Sequence, residues 1–319
     1  MQYRRNEYDV TDRVNLRKPQ SVYTEVSEII SDFCPDSMLE QVHQAFSDLS
    51  MLYKGKLNGY LACDVPFHDL QHVMDVTLAT ARLLAGYEKN QPLSNRLGPE
   101  RIMLGVILAL FHDCGYIRTE DDELKNGAAY TKSHITRGEI FLRSYLPRIG
   151  LASHVEVISQ LIHYTGYEKP IEEIQLDDKR DEILGYIVGS ADLFAQMADR
   201  CYLEKCRDRL YAEFVLGGMT SRMTAEGREE VLYHSPEELL QKTPGFYQHM
   251  VRPRLDDKFH HVADYMKDYF NGQDPYQEEI DSNLQYLDLM IQENNFSLLR
   301  RKLAETPESR AFPYPQLSA

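Results

Sequence analysis

The chain has 319 residues, 43% of them hydrophobic and 27% charged, which allows one large domain or two ordinary ones and argues against general disorder. Fifty acids against thirty-five bases leave a formal charge of -15, so a phosphate-rich polymer is repelled and nucleic acid is excluded as a natural partner. The same field disfavours a small anionic substrate unless a bound cation inverts the local potential.

Residues 1 to about 20 are polar and rich in Arg and Asn, and read as a loose arm with no apolar signal core. After Pro19, Val22, Val26, Ile29 and Ile30 fall at helical spacing. A second helix is expected from Ser37 through Leu52, and Gly55 and Gly59 mark the loop after it. From Leu70 to Glu88 the apolar residues Val73, Val76, Leu83 and Leu84 again recur at helical spacing, and Pro92 and Pro99 punctuate the link to the next helix, Glu100 to Gly115. That helix is apolar nearly all round, as suits the middle of a bundle. Its longest apolar run, Ile102 to Phe111, is too short to span a bilayer.

An acidic loop over Thr119 to Asn126 precedes helices expected near Ser133 to Tyr145, Ser153 to His163 and Asp181 to Phe214. In the last of these, Met197, Tyr202, Leu203, Leu210 and Phe214 make a stripe that core packing explains. Gly217, Gly218 and Gly227 break the chain, and Pro236, Pro244 and Pro253 divide the next stretch into short helical pieces. Two more helices are expected, Leu255 to Phe270 and Gln277 to Leu303, with an irregular tail after Pro307. No period-2 strand pattern of useful length appears, so the fold class is all-α, with no internal repeat. The expected organisation is an N-terminal helical extension over 1–55, a central domain over 56–275, and a C-terminal helix with its tail over 276–319. Cys34, Cys63, Cys114, Cys201 and Cys206 contain no C-x-x-C pair and are odd in number, which argues against a disulfide framework and for a reducing, cytoplasmic setting.

One constellation carries chemistry. His68 and His72 stand four apart, one turn on a helix face, where both can converge on a small ion. His112 and Asp113 end the most apolar helix, and Asp192 is the single acid in the apolar run Gly185 to Phe194. An ionised carboxylate buried without a partner costs several kcal/mol, so a cation is expected there, and a divalent metal suits the histidines as well. Any one of these residues alone is compatible with a satisfied core position. The histidines and acids of three separate apolar segments taken together are not readily explained that way.

These residues resemble the HD superfamily of metal-dependent phosphohydrolases, and more closely its class I cyclic-nucleotide phosphodiesterases. Their signature begins Tyr-His-Asn-x-x-His-x-x-Asp-Val, and Phe67-His68-Asp69-Leu70-Gln71-His72-Val73-Met74-Asp75-Val76 stands in its place. His112-Asp113 and Ala191-Asp192 match the later ligands, and Thr243-Pro244-Gly245-Phe246 with Pro253 occupies the place of Gln-x-Gly-Phe and its proline. The likeness covers roughly residues 60 to 270, and implies an HD or phosphodiesterase-like helical bundle.

The resemblance further implies that His72, His112, Asp113 and Asp192 ligate one metal, that Asp113 bridges to a second, and that His68 protonates the leaving oxygen. Hydrolysis of a phosphodiester or phosphomonoester by a metal-bridging hydroxide is then the expected reaction. His134, in a His-x-x-x-Gly segment similar to that of the HD-GYP phosphodiesterases, and His163 are candidate ligands of the second ion. Two divalent ions are expected, with Fe, Mn, Zn and Mg not distinguished, although a histidine-rich second site suits Mg least.

The chain departs from the family at Asp69, where an asparagine is usual, at Tyr116, in place of a histidine, and at Thr243 and Ala195, in place of two amides. Phe246 retains the aromatic that in the family stacks on a base. With the amides gone, a cyclic nucleotide is a suggestion only. Thr243, Phe246, Arg118 and Lys132 are the candidate substrate contacts, with Arg137 a further candidate for phosphate. The expected partner is a small phosphorylated molecule, nucleotide-like, with no membrane, and a homodimer is allowed. The competing expectations are a di-iron HD-fold oxygenase and a weakly active nucleotide sensor.

Overall fold

The computed structural model describes residues 5–224 and 226–315. The expectation of an all-α fold holds: thirteen α-helices, several continued by 3-10 or π turns, account for most of the described residues. In chain order they are α1 (Pro19–Ser31), α2 (Asp36–Tyr53), α3 (Leu70–Asn90), α4 (Pro99–Phe111), α5 (His134–Tyr145), α6 (Val155–Leu161), α7 (Lys179–Ala198), α8 (Tyr202–Lys205), α9 (Tyr211–Leu216), α10 (Pro236–Phe246), α11 (Tyr265–Tyr269), α12 (Pro275–Gln292) and α13 (Pro307–Ala311).

Helix α3 is the axle. Asp69 starts it by accepting the His72 backbone N–H at 3.0 Å, and every residue from His72 to Glu88 is buried. The helix is surrounded by α1, α4, α7 and α11, which is why even its polar residues Asp75, Thr77, Thr80, Arg82 and Glu88 are buried. Helix α4 meets α2, α3 and α7, and its residues Ile102 to Phe111 are all buried, as its uninterrupted apolar sequence requires. Asp178 caps α7 through the Arg180 N–H at 2.9 Å. The apolar core is continuous from Val14 in the arm to Phe312 in the tail, so residues of the N-terminal extension and of the C-terminal helix and tail pack on the same core as the central part.

Four features differ from the expectations drawn from the sequence. First, the arm is held rather than loose. Asp9 is fully buried, its Oδ2 lies 2.6 Å from Arg82 Nη2 on α3, and Arg82 Nη1 donates to the Tyr276 hydroxyl of α12 at 2.9 Å. Burial pushes the Asp9 pKa up, but the Arg82 charge and the Val14 N–H outweigh it and leave the group below its ordinary value. The outermost ends of arm and tail, residues 1–4 and 316–319, lie outside the described residues.

Second, the helix expected from Asp181 to Phe214 breaks at Asp199, whose ψ of 128° is extended. Its carboxylate instead receives Cys201 N–H at 2.7 Å and the buried Lys205 ammonium at 2.5 Å. A π turn over Cys206–Leu210 then joins α8 to α9. Third, the helix expected over Leu255 to Phe270 is interrupted where His260 and His261 take left-handed φ values of 50° and 58°, and the one expected to reach Leu303 stops at Gln292, just before Asn294 at φ 46°. Fourth, a short antiparallel hairpin pairs Ser221–Met223 with Glu229–Val231, and α13 forms in the tail behind a Thr306–Ser309 capping box. Strands of three residues are too short to register an alternating pattern.

Candidate metal centre

Three elements deliver the cluster. His72 lies in the first turn of α3, His112 and Asp113 come directly after α4, and Asp192 projects from α7. Because α3 packs on both α4 and α7, the start of α3, the end of α4 and the interior of α7 converge on one point. His72 Nε2 is 3.3 Å from Asp113 Oδ2, 3.3 Å from Asp192 Oδ1 and 3.3 Å from His112 Nε2. His112 Nε2 in turn is 3.2 Å from Asp113 Oδ2 and 3.7 Å from Asp192 Oδ1.

His72, His112 and Asp113 thus form a group whose ligand atoms lie close enough together to hold one metal ion, with Asp192 Oδ1 at its edge, 3.3 Å from His72 Nε2. The tautomer of His112 is dictated locally: Nδ1 stands 2.7 Å from the Ala109 carbonyl, which can only accept, so Nδ1 carries the proton and Nε2 presents a lone pair inward. Asp113 Oδ2 is buried and makes no hydrogen bond. Burial opposes charge on each ring, yet the Asp113 and Asp192 carboxylates prevail, raising His72 to about 10 and raising His112 also. Against the same burial, His112 and His72 hold Asp113 well below the carboxylate range. Two imidazole nitrogens with carboxylate oxygens beside them would suit Zn, Mn or Fe better than Ca.

Asp113 also faces the other way. His134 Nε2 lies 3.8 Å from its Oδ1, and His134 Nδ1 lies 2.7 Å from the Thr131 carbonyl, so here too Nδ1 carries the proton and Nε2 is bare. Burial lowers the His134 pKa, which keeps the ring neutral and able to ligate. Gly115 makes this approach possible: a Cβ there would lie 1.8 Å from the His134 carbonyl oxygen. His163, by contrast, is not brought to the cluster. It is buried, with Nε2 3.1 Å from Glu139 Oε2 of α5.

His68 lies at the rim with 16% of its side chain exposed, and its Nδ1 is 2.6 Å from Glu213 Oε2. Glu213 is fully buried and accepts the Phe67 N–H as well, at 2.5 Å. Burial works against the His68 imidazolium, but the Glu213 carboxylate overcomes it and raises the pKa. Tyr116 stacks on His68 at 4.4 Å and on His134 at 4.5 Å, a single phenol ring between two imidazoles.

Glu213 and Arg209 are the residues that sequence reasoning missed. Arg209 donates to Asp69 Oδ2 at 3.2 Å and to the Pro66 carbonyl at 3.0 Å, so the departure at Asp69 serves a buried ion pair as well as a helix cap.

The substrate candidates fare differently. Arg118 is committed to Asp64 through Nε and Nη2 at 3.0 and 2.8 Å, and Arg137 to Asp122 at 2.6 Å, so neither has a free charge to offer. Lys132 is exposed and forms no ion pair among the described residues. Thr243 is buried and bonds back to the Leu239 carbonyl at 3.0 Å, while Phe246 is 38% exposed. Ala195 is fully buried.

Compared with known proteins, residues 121–273 match the model of a family described as Npun_R2479-like. The matched stretch holds His134 and Asp192 but not His72, His112 or Asp113. No curated protein matches the chain.

Proposed function

We propose that the chain is a metal-dependent phosphohydrolase acting on a small phosphorylated, nucleotide-like molecule. The observation that carries this reading is the convergence of His72, His112, Asp113 and Asp192 from three separate segments, with Asp113 Oδ2 buried beside the Nε2 atoms of both histidines. These four side chains would hold one ion, and Asp113 Oδ1 with His134 offers the beginning of a second site. A divalent ion bound there supplies Lewis acidity and lowers the pKa of water enough for attack on phosphorus near neutral pH.

The protein's own groups account for the remaining requirements. Glu213 accepts from Nδ1 of His68 and favours the charged ring, which leaves Nε2–H free to protonate a departing oxygen. Stacking on Tyr116 keeps that ring from rotating. The test is hydrolysis of bis-p-nitrophenyl phosphate by the purified chain with and without added Mn(II). Activity should need the metal and vanish in Asp113→Ala; an Asp113→Ala protein that stays active without metal defeats the proposal. Oxygen uptake by the iron-loaded protein would move the reading to a di-iron oxygenase.

A further inference from the structure

Among the described residues four Lys or Arg side chains are buried: Arg82, Lys205, Arg209 and Arg254. Three of them face a buried aspartate, namely Asp9, Asp199 and Asp69. Among the described residues Arg254 has no carboxylate at ion-pair distance. Its Nη2 donates to the carbonyls of Tyr164 at 2.9 Å and Gly166 at 2.6 Å, and its guanidinium lies 4.2 Å from the Tyr167 ring centroid. A chain with fifty acids has left one buried guanidinium unneutralised, at a cost that neighbouring carbonyls only partly offset.

The place of this cation is set by the packing. A Cβ at Gly189 of α7 would lie 2.6 Å from the Tyr164 carbonyl oxygen and 2.8 Å from the Phe259 ring, so the carbonyl that Arg254 grips rests on α7 at that glycine. Asp192 stands three residues on, on the same face and about 4.5 Å along the axis. Burial lowers the Arg254 pKa, and the groups that oppose this are Tyr167 and Asp192. Tyr167 is itself 53% exposed, which leaves the ring that flanks the guanidinium open to solvent.

We propose that Arg254, flanked by Tyr167, is an anion-binding site beside the Asp192 edge of the cluster and takes a phosphoryl oxyanion of the substrate. This rests on the reading of the cluster as a centre for phosphoryl chemistry. Two carbonyls orient the guanidinium, the ring covers one of its faces, and the missing negative partner is the one that a substrate brings. It also gives an acidic protein a local means of drawing in an anion.

The test is calorimetric titration of inorganic phosphate into wild type, Arg254→Gln and Arg254→Lys, each in manganese-loaded and metal-stripped form, with metal content measured in parallel. Arg254→Gln should lose at least about tenfold in phosphate affinity while keeping wild-type metal content, since a charge-assisted hydrogen bond is lost. Arg254→Lys should fall in between, because a lysine cannot hold two carbonyls and an anion in one plane. Equal phosphate affinity in wild type and Arg254→Gln overturns the proposal even if metal binds. A wild type that takes up no metal overturns the metal reading instead, and the metal-stripped titration still decides whether phosphate binding depends on Arg254. Should Arg254→Gln fail to fold, Arg254→Lys decides, with unchanged affinity counting against the site.

Discussion

Asp113 divides its two oxygens between neighbours, Oδ2 toward His72 and His112 and Oδ1 toward His134. His112→Ala should therefore bring bound metal well below one ion per chain, whereas His163→Ala should leave it unchanged, because His163 faces Glu139 instead. Metal analysis of the two variants checks both arms, and equal losses would mean that His163 reaches the cluster after all. Glu213→Gln should keep the metal content, yet lower turnover by about tenfold or more, since the amide can still accept from Phe67 but no longer favours a charged His68. Of these residues the histidines and acids were legible, because their types and spacings resemble a known frame. Glu213, Arg209 and Arg254 were not. Their role comes from contacts made across as many as 146 residues, such as Phe67 to Glu213, and no local pattern encodes such a distance.

The helices themselves were read well wherever an apolar face repeats, as in α1 to α4, and poorly wherever a single polar side chain decides the outcome. Asp199 ends α7 because its carboxylate finds Cys201 N–H and Lys205, and helical periodicity across the break gave no warning. Near the site, Gly115 lies against the backbone of α5 so closely that a Cβ there would meet the His134 carbonyl oxygen. Gly115→Ala should cost about 2 kcal/mol or more in urea unfolding, because the methyl group would meet backbone rather than a side chain able to move aside. The same substitution should weaken metal uptake, by drawing His134 away from Asp113. An alanine variant as stable as wild type would show that α5 can shift freely, and would remove the reason given for this glycine.

Across the whole molecule, the arm, α3 and α12 meet at the buried Arg82, which binds Asp9 and Tyr276. Composition and period offered no means of foreseeing this, because the partners of Arg82 lie 73 and 194 residues away. Breaking a buried ion pair on one side strands the other charge, so Asp9→Asn or Arg82→Met should destabilise the fold by about 3 to 5 kcal/mol in urea at pH 7. Since the folded Asp9 pKa lies below its unfolded value of roughly 3.9, this stabilisation is complete above that pH and is lost as pH falls through the folded value. The gap in stability between wild type and Asp9→Asn should accordingly shrink below about pH 4; a gap that is constant down to about pH 2 would argue that the pair carries no net ionic stabilisation.

A guanidinium that needs both the ninth residue and the two hundred and seventy-sixth cannot be satisfied while the chain is still being made. When Arg82 leaves the ribosome Asp9 is already available, but Tyr276 is not, and neither is the α7 surface against which α3 closes. The α1 and α2 surfaces that pack on α3 and α4 are made before them, whereas the α7 and α12 partners come later, so the closure around Arg82 is a late step of chain assembly.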